Sequence, residues 1–110
     1  MKVLDLSEAI NAKIIAGEDG IESRVTGGYV CDLLSWVIGK AKVGDCWITV
    51  MGNINAIAVA TLSDISCIIL AENSPLDADA KVKADLYDIP ILSSDKSAYT
   101  LALELGELLK

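Results

Sequence analysis

Three short apolar runs, at residues 47–51, 67–71 and 89–92, recur along the second half of the chain, and a helical pattern follows each of them. Continuous apolar runs of this length are typical of strands that are buried on both faces of a parallel sheet. We therefore predict that strand and helix alternate three times, and that right-handed crossovers join the strands into a mostly parallel sheet covered by helices.

The helix predicted after the first run, at residues 53–61, is apolar on nearly every side. A helix without a polar face is covered on both sides, and the sheet can cover only one of them. We expect a second subunit to cover the other side, which predicts a homodimer or a higher homo-oligomer.

The two later helices have their own predicted start signals. These are Ser74-Pro75 with Asp77 for the first of them, and Ser94 or Asp95 for the second.

Residues 1–20 have the pattern of a small helix and strand unit, with Ser7 as a possible helix cap and a strand at 13–16. Residues 21–30 indicate an extended segment. Asp32 is the predicted cap of a helix that runs to about residue 42 and is ended by Gly44. The apolar face of that helix is predicted to comprise Leu33, Leu34, Val37, Ile38 and Ala41. Residues 1–110 together are predicted to form a single α/β domain.

The composition narrows the classes of partner. Of the 110 residues, 53% are hydrophobic and the mean hydropathy is +0.47, which leaves more apolar surface than one small core hides. The net charge of -7, with Arg24 as the only arginine, would repel a phosphate backbone, so no nucleic-acid partner is expected. Gly52-Asn53, Asn55 and Ser63-Asp64 interrupt the weakly charged stretch 46–71 with turn chemistry, so no membrane partner is expected either.

The residue types also limit the chemistry. The chain contains no histidine, which excludes hydrolytic triads and removes the commonest metal ligand. Cys31, Cys46 and Cys67 are widely spaced, as expected of reduced buried thiols in a cytoplasmic protein rather than of a metal or cluster site. Neither a G-x-G-x-x-G motif nor a nucleotide-binding Walker loop is present, and residues 1–10 do not resemble a signal peptide. We predict a cytoplasmic protein that is not an enzyme and has no cofactor.

The best candidates for a ligand site are the loops after the three predicted strands, because ligands bind at the carboxyl ends of strands in open α/β sheets. The glycine pair that precedes the central strand is a further candidate, although such glycines more often serve a bend. Asn53, Ser74 and Ser94 could equally serve only as helix caps. Glu72 and Asp95 could form a carboxylate pair, which we consider a weak alternative, and Arg24 could hold an anion or be solvated. The predicted ligand-binding residues are Met51, Gly52, Asn53, Asn55, Gly27, Gly28, Glu72, Ser93 and Ser94.

Four stretches of the chain resemble the DRTGG domain family: SRVTGGYVCDLLSWVIGKA, DCWITVMGNINAIAVA, SCIILAE and IPILSS. The likeness covers nearly the whole chain. It implies an α/β fold like the amino-terminal domain of HPr kinase/phosphorylase, in a family whose relatives are attached to phosphotransacetylases and CBS-domain proteins. The literal string Asp-Arg-Thr-Gly-Gly does not occur. The stretch 23–28 is closest to it in letters but precedes the central strand, and we assign the corresponding turn to residues 52–55.

The resemblance implies a regulatory or small-ligand-binding module that self-associates. It does not imply kinase activity, since the nucleotide-binding domain of that kinase has no counterpart in these residues. One alternative is an accessory or scaffold subunit that binds another protein without a small ligand. An enzyme of phosphoryl transfer is the least favoured interpretation, because neither a phosphate loop nor an evident base is present.

Overall fold

The computed structural model describes residues 1–110, and strand and helix alternate three times from Asp45 onward, as predicted. A short 3-10 turn at Glu18–Gly20 follows the first strand. The helices and strands, in chain order, are α1 Val3–Ala9, β1 Lys13–Ala16, β2 Gly27–Val30, α2 Leu34–Lys40, β3 Asp45–Thr49, α3 Ile54–Ser63, β4 Cys67–Leu70, α4 Ala78–Leu86, β5 Ile91–Ser93 and α5 Ala98–Leu108.

The five strands form one sheet in the order β1-β5-β4-β3-β2. Strands β2 to β5 are parallel to one another, and only β1 runs antiparallel, against β5. The predicted mostly parallel sheet is therefore confirmed. Strand β5 lies between β1 and β4, and Pro90 directly precedes it, where the missing N–H of proline breaks no ladder bond.

Each face of the sheet has its own apolar core, and this explains why apolar residues occupy consecutive positions in β3, β4 and β5. Trp47, Ile68 and Ile91 point towards the core shared with α2, α3 and α4. Their neighbours point the other way, as in any pleated strand, towards the core shared with α1 and α5. The residues of β3, β4 and β5 on this second face are Cys46, Ile48, Cys67, Ile69 and Leu92.

Asn53 caps α3 as predicted, since its Oδ1 accepts a hydrogen bond from Ala56 N at 2.9 Å. The predicted cap of α5 is wrong: the helix begins at Ala98, and Ser97 accepts the capping bond from Thr100 N. Ser7 is not a cap either, because it lies inside α1 and its hydroxyl donates to the carbonyl of Leu4. A Ser or Asp in the sequence indicates that a helix begins nearby. When several such residues lie close together, the sequence does not indicate which of them caps the helix.

The second helix departs most from its prediction. It begins at Leu34, after Asp32, and ends at Lys40, so Gly44 does not end it. Gly44 instead has a φ of +85° in the turn that enters β3. Only Val37 of the predicted apolar face is buried, whereas Leu33 and Ile38 are 56% and 53% exposed. Strand β2 is also shorter than the extended segment predicted at 21–30. Outside β2, the only strand-like pairing of this segment is a single antiparallel bridge from Arg24 to Lys2.

Candidate functional site

The loops after β3, β4 and β5 meet at one edge of the sheet, as predicted. The amide of Ala71 donates to the carbonyl of Thr49 at 3.0 Å, which joins the ends of β3 and β4. Asn73 N then donates to Ser94 O at 2.8 Å, which joins the next pair of loops. The structure therefore brings Met51, Gly52, Asn53, Glu72, Ser93 and Ser94 to a common edge.

Three polar side chains at this edge are engaged within the fold. Besides the cap made by Asn53, Ser94 Oγ accepts a hydrogen bond from Lys96 N at 3.1 Å, and Ser74 Oγ donates to Ala71 O at 2.6 Å. None of the five cavities of the protein is lined by any of the six residues at this edge. Asn55, the remaining residue predicted at the central turn, lies in the first turn of α3 and lines a separate groove between α3 and α4.

The remaining predicted residues, Gly27 and Gly28, lie at the opposite edge of the sheet. Strand β2 is parallel to β3 and Gly27 pairs with Asp45, so the glycines are at the amino ends of the strands. The predicted set of site residues is thus divided between two edges. The rule that ligands bind at the carboxyl ends of parallel strands applies to loops that follow a strand. Gly27 and Gly28 instead begin a strand, so the rule does not apply to them.

Gly27 and Gly28 line a cleft of about 490 Å³, the largest in the protein, between β2 and the segment that follows α2. Ligand pockets usually measure roughly 300–1,000 Å³. We call this cleft the lysine cleft. It is lined by Thr26, Gly27, Gly28, Tyr29, Lys40, Lys42, Val43 and Asp45.

The charges of the lysine cleft are two exposed ammonium groups and one nearly buried carboxylate. Neither Lys40 nor Lys42 takes part in any of the four ion pairs of the protein. The Nζ of Lys40 lies 5.1 Å from the centre of the Trp36 ring. Asp45 Oδ2 accepts a hydrogen bond from the backbone N of Lys42 at 2.8 Å, so the carboxylate shapes the turn. The cleft therefore has a positive excess in a protein whose net charge is -7.

Gly27 is needed for this arrangement because a Cβ at that position would lie 2.6 Å from Asp45 Oδ1. Any larger residue would displace the carboxylate that holds the turn before β3. The glycine also leaves the backbone of an edge strand open towards the cleft, since β2 pairs with β3 on one side only.

A second cleft, of about 210 Å³, lies between β2 and α5, and we call it the apolar cleft. It shares Gly28 and Tyr29 with the lysine cleft. Its other lining residues are Val30, Ile48, Ala102, Leu105, Gly106 and Leu109. No three His, Cys, Asp or Glu side chains are grouped so that they could hold a metal ion.

The model of the DRTGG domain matches residues 5–108. The chain belongs to the DRTGG domain family. No curated protein sequence matches this DRTGG protein. One solved structure with the same fold contains the CBS and DRTGG domains of the regulatory region of Clostridium perfringens pyrophosphatase, complexed with the activator diadenosine tetraphosphate.

That structure aligns with a TM-score of 0.71 at 11% sequence identity, over 94% of this chain and 45% of the pyrophosphatase chain. At this identity the likeness shows the DRTGG fold alone, and this chain spans less than half of the pyrophosphatase chain. None of the helices of this DRTGG protein is long and apolar enough to cross a membrane. The likeness to the HPr kinase/phosphorylase domain stays a prediction.

Sequence reasoning missed Lys40 and Lys42 as lining residues of the lysine cleft in this DRTGG protein. Two lysines separated by one residue also occur at Lys81 and Lys83, so spacing alone does not select the first pair. Gly106 was missed as well, although a glycine one turn after Ala102 in a helix can indicate a gap beside it. Arg24, proposed as an anion contact, does not line the cleft; its carbonyl accepts a hydrogen bond from the Ser66 hydroxyl.

Proposed function

We propose that this DRTGG protein is a non-catalytic regulatory module that binds a small phosphate-bearing ligand in the lysine cleft. The observation that carries the proposal is the pair of unpaired ammonium groups, Lys40 and Lys42, beside the open glycine backbone of β2. Lysine ammonium groups and backbone N–H groups are the usual protein partners of phosphate oxygens.

Two further points support this proposal. The regulatory region of Clostridium perfringens pyrophosphatase, which shares the fold, was solved with the activator diadenosine tetraphosphate, a ligand rich in phosphate. The cleft also contains one carboxylate, Asp45, and it is engaged with the Lys42 backbone. A site without a histidine or a free carboxylate base offers binding rather than proton transfer.

The proposal is tested by titrating the purified protein with inorganic tripolyphosphate in a calorimeter. We expect saturable binding that weakens as salt is added, because exposed charges are screened. The double variant Lys40→Gln, Lys42→Gln should lose about tenfold or more in affinity, which corresponds to about 1.4 kcal/mol.

The matched control is Lys81→Gln, Lys83→Gln, which makes the same change in net charge on α4, away from the cleft. Equal losses in the two double variants would contradict the proposal, since only the overall charge would then matter. Loss of binding in Asn53→Ser, which keeps the helix cap, would move the ligand to the carboxyl edge of the sheet. Turnover of a nucleotide with magnesium would contradict the non-catalytic part.

We also propose that two copies of the protein associate through the outer surface of α3. Ala56, Ile57, Val59 and Ala60 of this helix are buried within the subunit. Its exposed residues, Ile54, Asn55, Ala58, Thr61 and Leu62, include no charge. Because each copy has a net charge of -7, a contact between copies is least opposed where the surface is uncharged.

Light scattering of the purified protein tests the association. We expect a dimer or larger assembly at micromolar concentration, and a monomer for Leu62→Glu, because Leu62 is 76% exposed on α3. Leu103→Glu, on the exposed side of α5, is the control that should remain associated. A wild-type monomer contradicts the association. A monomer that co-purifies with a different protein would favour the accessory-subunit alternative.

The proposed place of action is the cytoplasm. Cys31, Cys46 and Cys67 are all free thiols, and free cysteines persist best in a reducing compartment. Fractionation of the native cell with an antibody would test this placement.

A further inference from the structure

We infer that the ligand of the lysine cleft is a nucleotide, whose base lies in the apolar cleft on the other side of β2. This inference rests on the proposed function, because the phosphate groups would occupy the lysine cleft. The structural reason is that the two clefts meet at Gly28 and Tyr29, on an edge strand that no other strand covers.

Gly28 lies at the boundary between the two clefts. The direction in which its Cβ would point leads to Leu105 of α5, at 2.6 Å, so this position faces the apolar cleft. Its neighbour Tyr29 packs against the core on the opposite face of the sheet. Leu105 fills the space above Gly28, so the ligand would pass between the clefts along the backbone edge of β2, which no other strand covers.

The apolar cleft has the chemistry expected for a flat apolar ring. Most of its lining residues are apolar, and Val30 at its mouth is 50% exposed. Ala102 and Gly106 are small residues one helical turn apart on α5, and a Cβ at Gly106 would meet no atom within 4 Å. The gap therefore exists because α5 has no large side chain at these positions.

The sizes of the clefts also favour a ligand with two parts. A volume of about 210 Å³ is below the roughly 300–1,000 Å³ of pockets that hold a whole small molecule. The apolar cleft is suited to one ring, while the lysine cleft beside it has room for a phosphate chain. A nucleotide combines these two groups in one molecule, and burial of its base would add affinity that inorganic phosphate cannot gain.

The experiment compares adenosine triphosphate with inorganic tripolyphosphate on the same protein. Tripolyphosphate offers the phosphate chain with at least as much charge but has no base. We expect wild-type protein to bind the nucleotide about tenfold or more tightly than tripolyphosphate. In Gly106→Leu, which fills the apolar cleft, we expect the two affinities to become equal while that of tripolyphosphate is unchanged.

Ala78→Leu, at an exposed position on α4, is the control and should keep the preference for the nucleotide. If Gly106→Leu does not fold, Ala102→Leu fills the same cleft from one turn earlier. Equal affinities in wild-type protein, or a preference that persists in the filled variant, overturn the inference but leave the proposed function standing. Failure of both ligands to bind overturns the proposed function and the inference with it.

Discussion

The carboxylate of Asp32 and the hydroxyl of Thr49 form a 2.7 Å hydrogen bond that joins the segment after β2 to the end of β3. The same Asp32 oxygen accepts a bond from Val50 N at 3.0 Å. Thr49 Oγ1 in turn accepts a bond from Met51 N at 3.2 Å. Asp32 therefore stabilises the exit of the central strand, and this is its role in place of the predicted cap of α2.

We expect Thr49→Val to lower the free energy of unfolding by about 1–2 kcal/mol, because the valine keeps the volume but loses the bond to a charged acceptor. Thr49 is only 2% exposed, so water cannot enter at this position to replace the lost hydrogen bond. Urea unfolding of Thr49→Val, Asp32→Ala and the double variant measures the coupling. A double variant whose loss equals the sum of the two single losses would contradict a direct interaction. Thr61→Val, whose hydroxyl donates only to its own helix, is the control.

Gly52 lies against the segment that leads into α4, where a Cβ would come within 1.9 Å of Pro75 O. Gly52→Ala should therefore lower the unfolding free energy by about 1–3 kcal/mol or more, because one loop must move away from the other. Gly106→Ala is the matched substitution in open space, and we expect it to raise stability by up to about 1 kcal/mol, since alanine is the better helix former. Thermal unfolding of both variants measures the contrast, and similar melting temperatures for the two would show that the close approach at Gly52 is unimportant.

The three thiols should differ sharply in reactivity. Cys46 and Cys67 are fully buried neighbours on β3 and β4, and the adjacent Cys67 thiol together with burial raises the pKa of the Cys46 thiol. Cys31 is partly exposed. A chromogenic disulfide reagent at pH 8 should label one thiol per folded chain and three after unfolding, because thiolate access is needed for reaction. In Cys31→Ser, rapid labelling of the folded protein should be lost; its persistence would mean that a buried thiol is reached.

Asp85 gives the fold a defined dependence on pH. A hydrogen bond from Gly17 N, at 2.8 Å, and the Lys81 ammonium group lower the pKa of this carboxyl below its usual value of about 3.9. A lowered pKa in the folded state adds stability that is present above the unfolded-state pKa and is lost as pH falls through the folded-state pKa.

Asp85→Asn keeps an acceptor for Gly17 but removes the charge, so its deficit in stability should be full at pH 6 and should shrink below about pH 4. Urea unfolding across this range gives the measurement. Glu107→Gln, at an exposed residue near the end of α5, is the control and should show no comparable change. A deficit for Asp85→Asn that is constant with pH would exclude the charge as its cause.

Much of the fold follows from local pattern. Apolar residues occupy consecutive positions in β3, β4 and β5 because both faces of the sheet are covered, and that requirement is visible in the residues themselves. Asn53 could be predicted as a cap because its partner, Ala56 N, is three residues away. Interactions within one helical turn leave a signal in neighbouring residues.

Interactions between distant residues leave no such signal. The bond from Thr49 to Asp32 spans 17 positions, and the meeting of Gly28 with Leu105 depends on how α5 crosses the sheet. Gly27 and Gly28 could be identified as unusual, but only the parallel pairing of β2 with β3 places them at the edge opposite Gly52. The alternation of helices and strands, the buried strands and the cap at Asn53 could be predicted from the amino-acid sequence, because they depend on local periodicity and short-range hydrogen bonds. The role of Asp32, the position of β1 and the two clefts beside β2 could be found only in the folded protein, because they depend on which distant segments pack together.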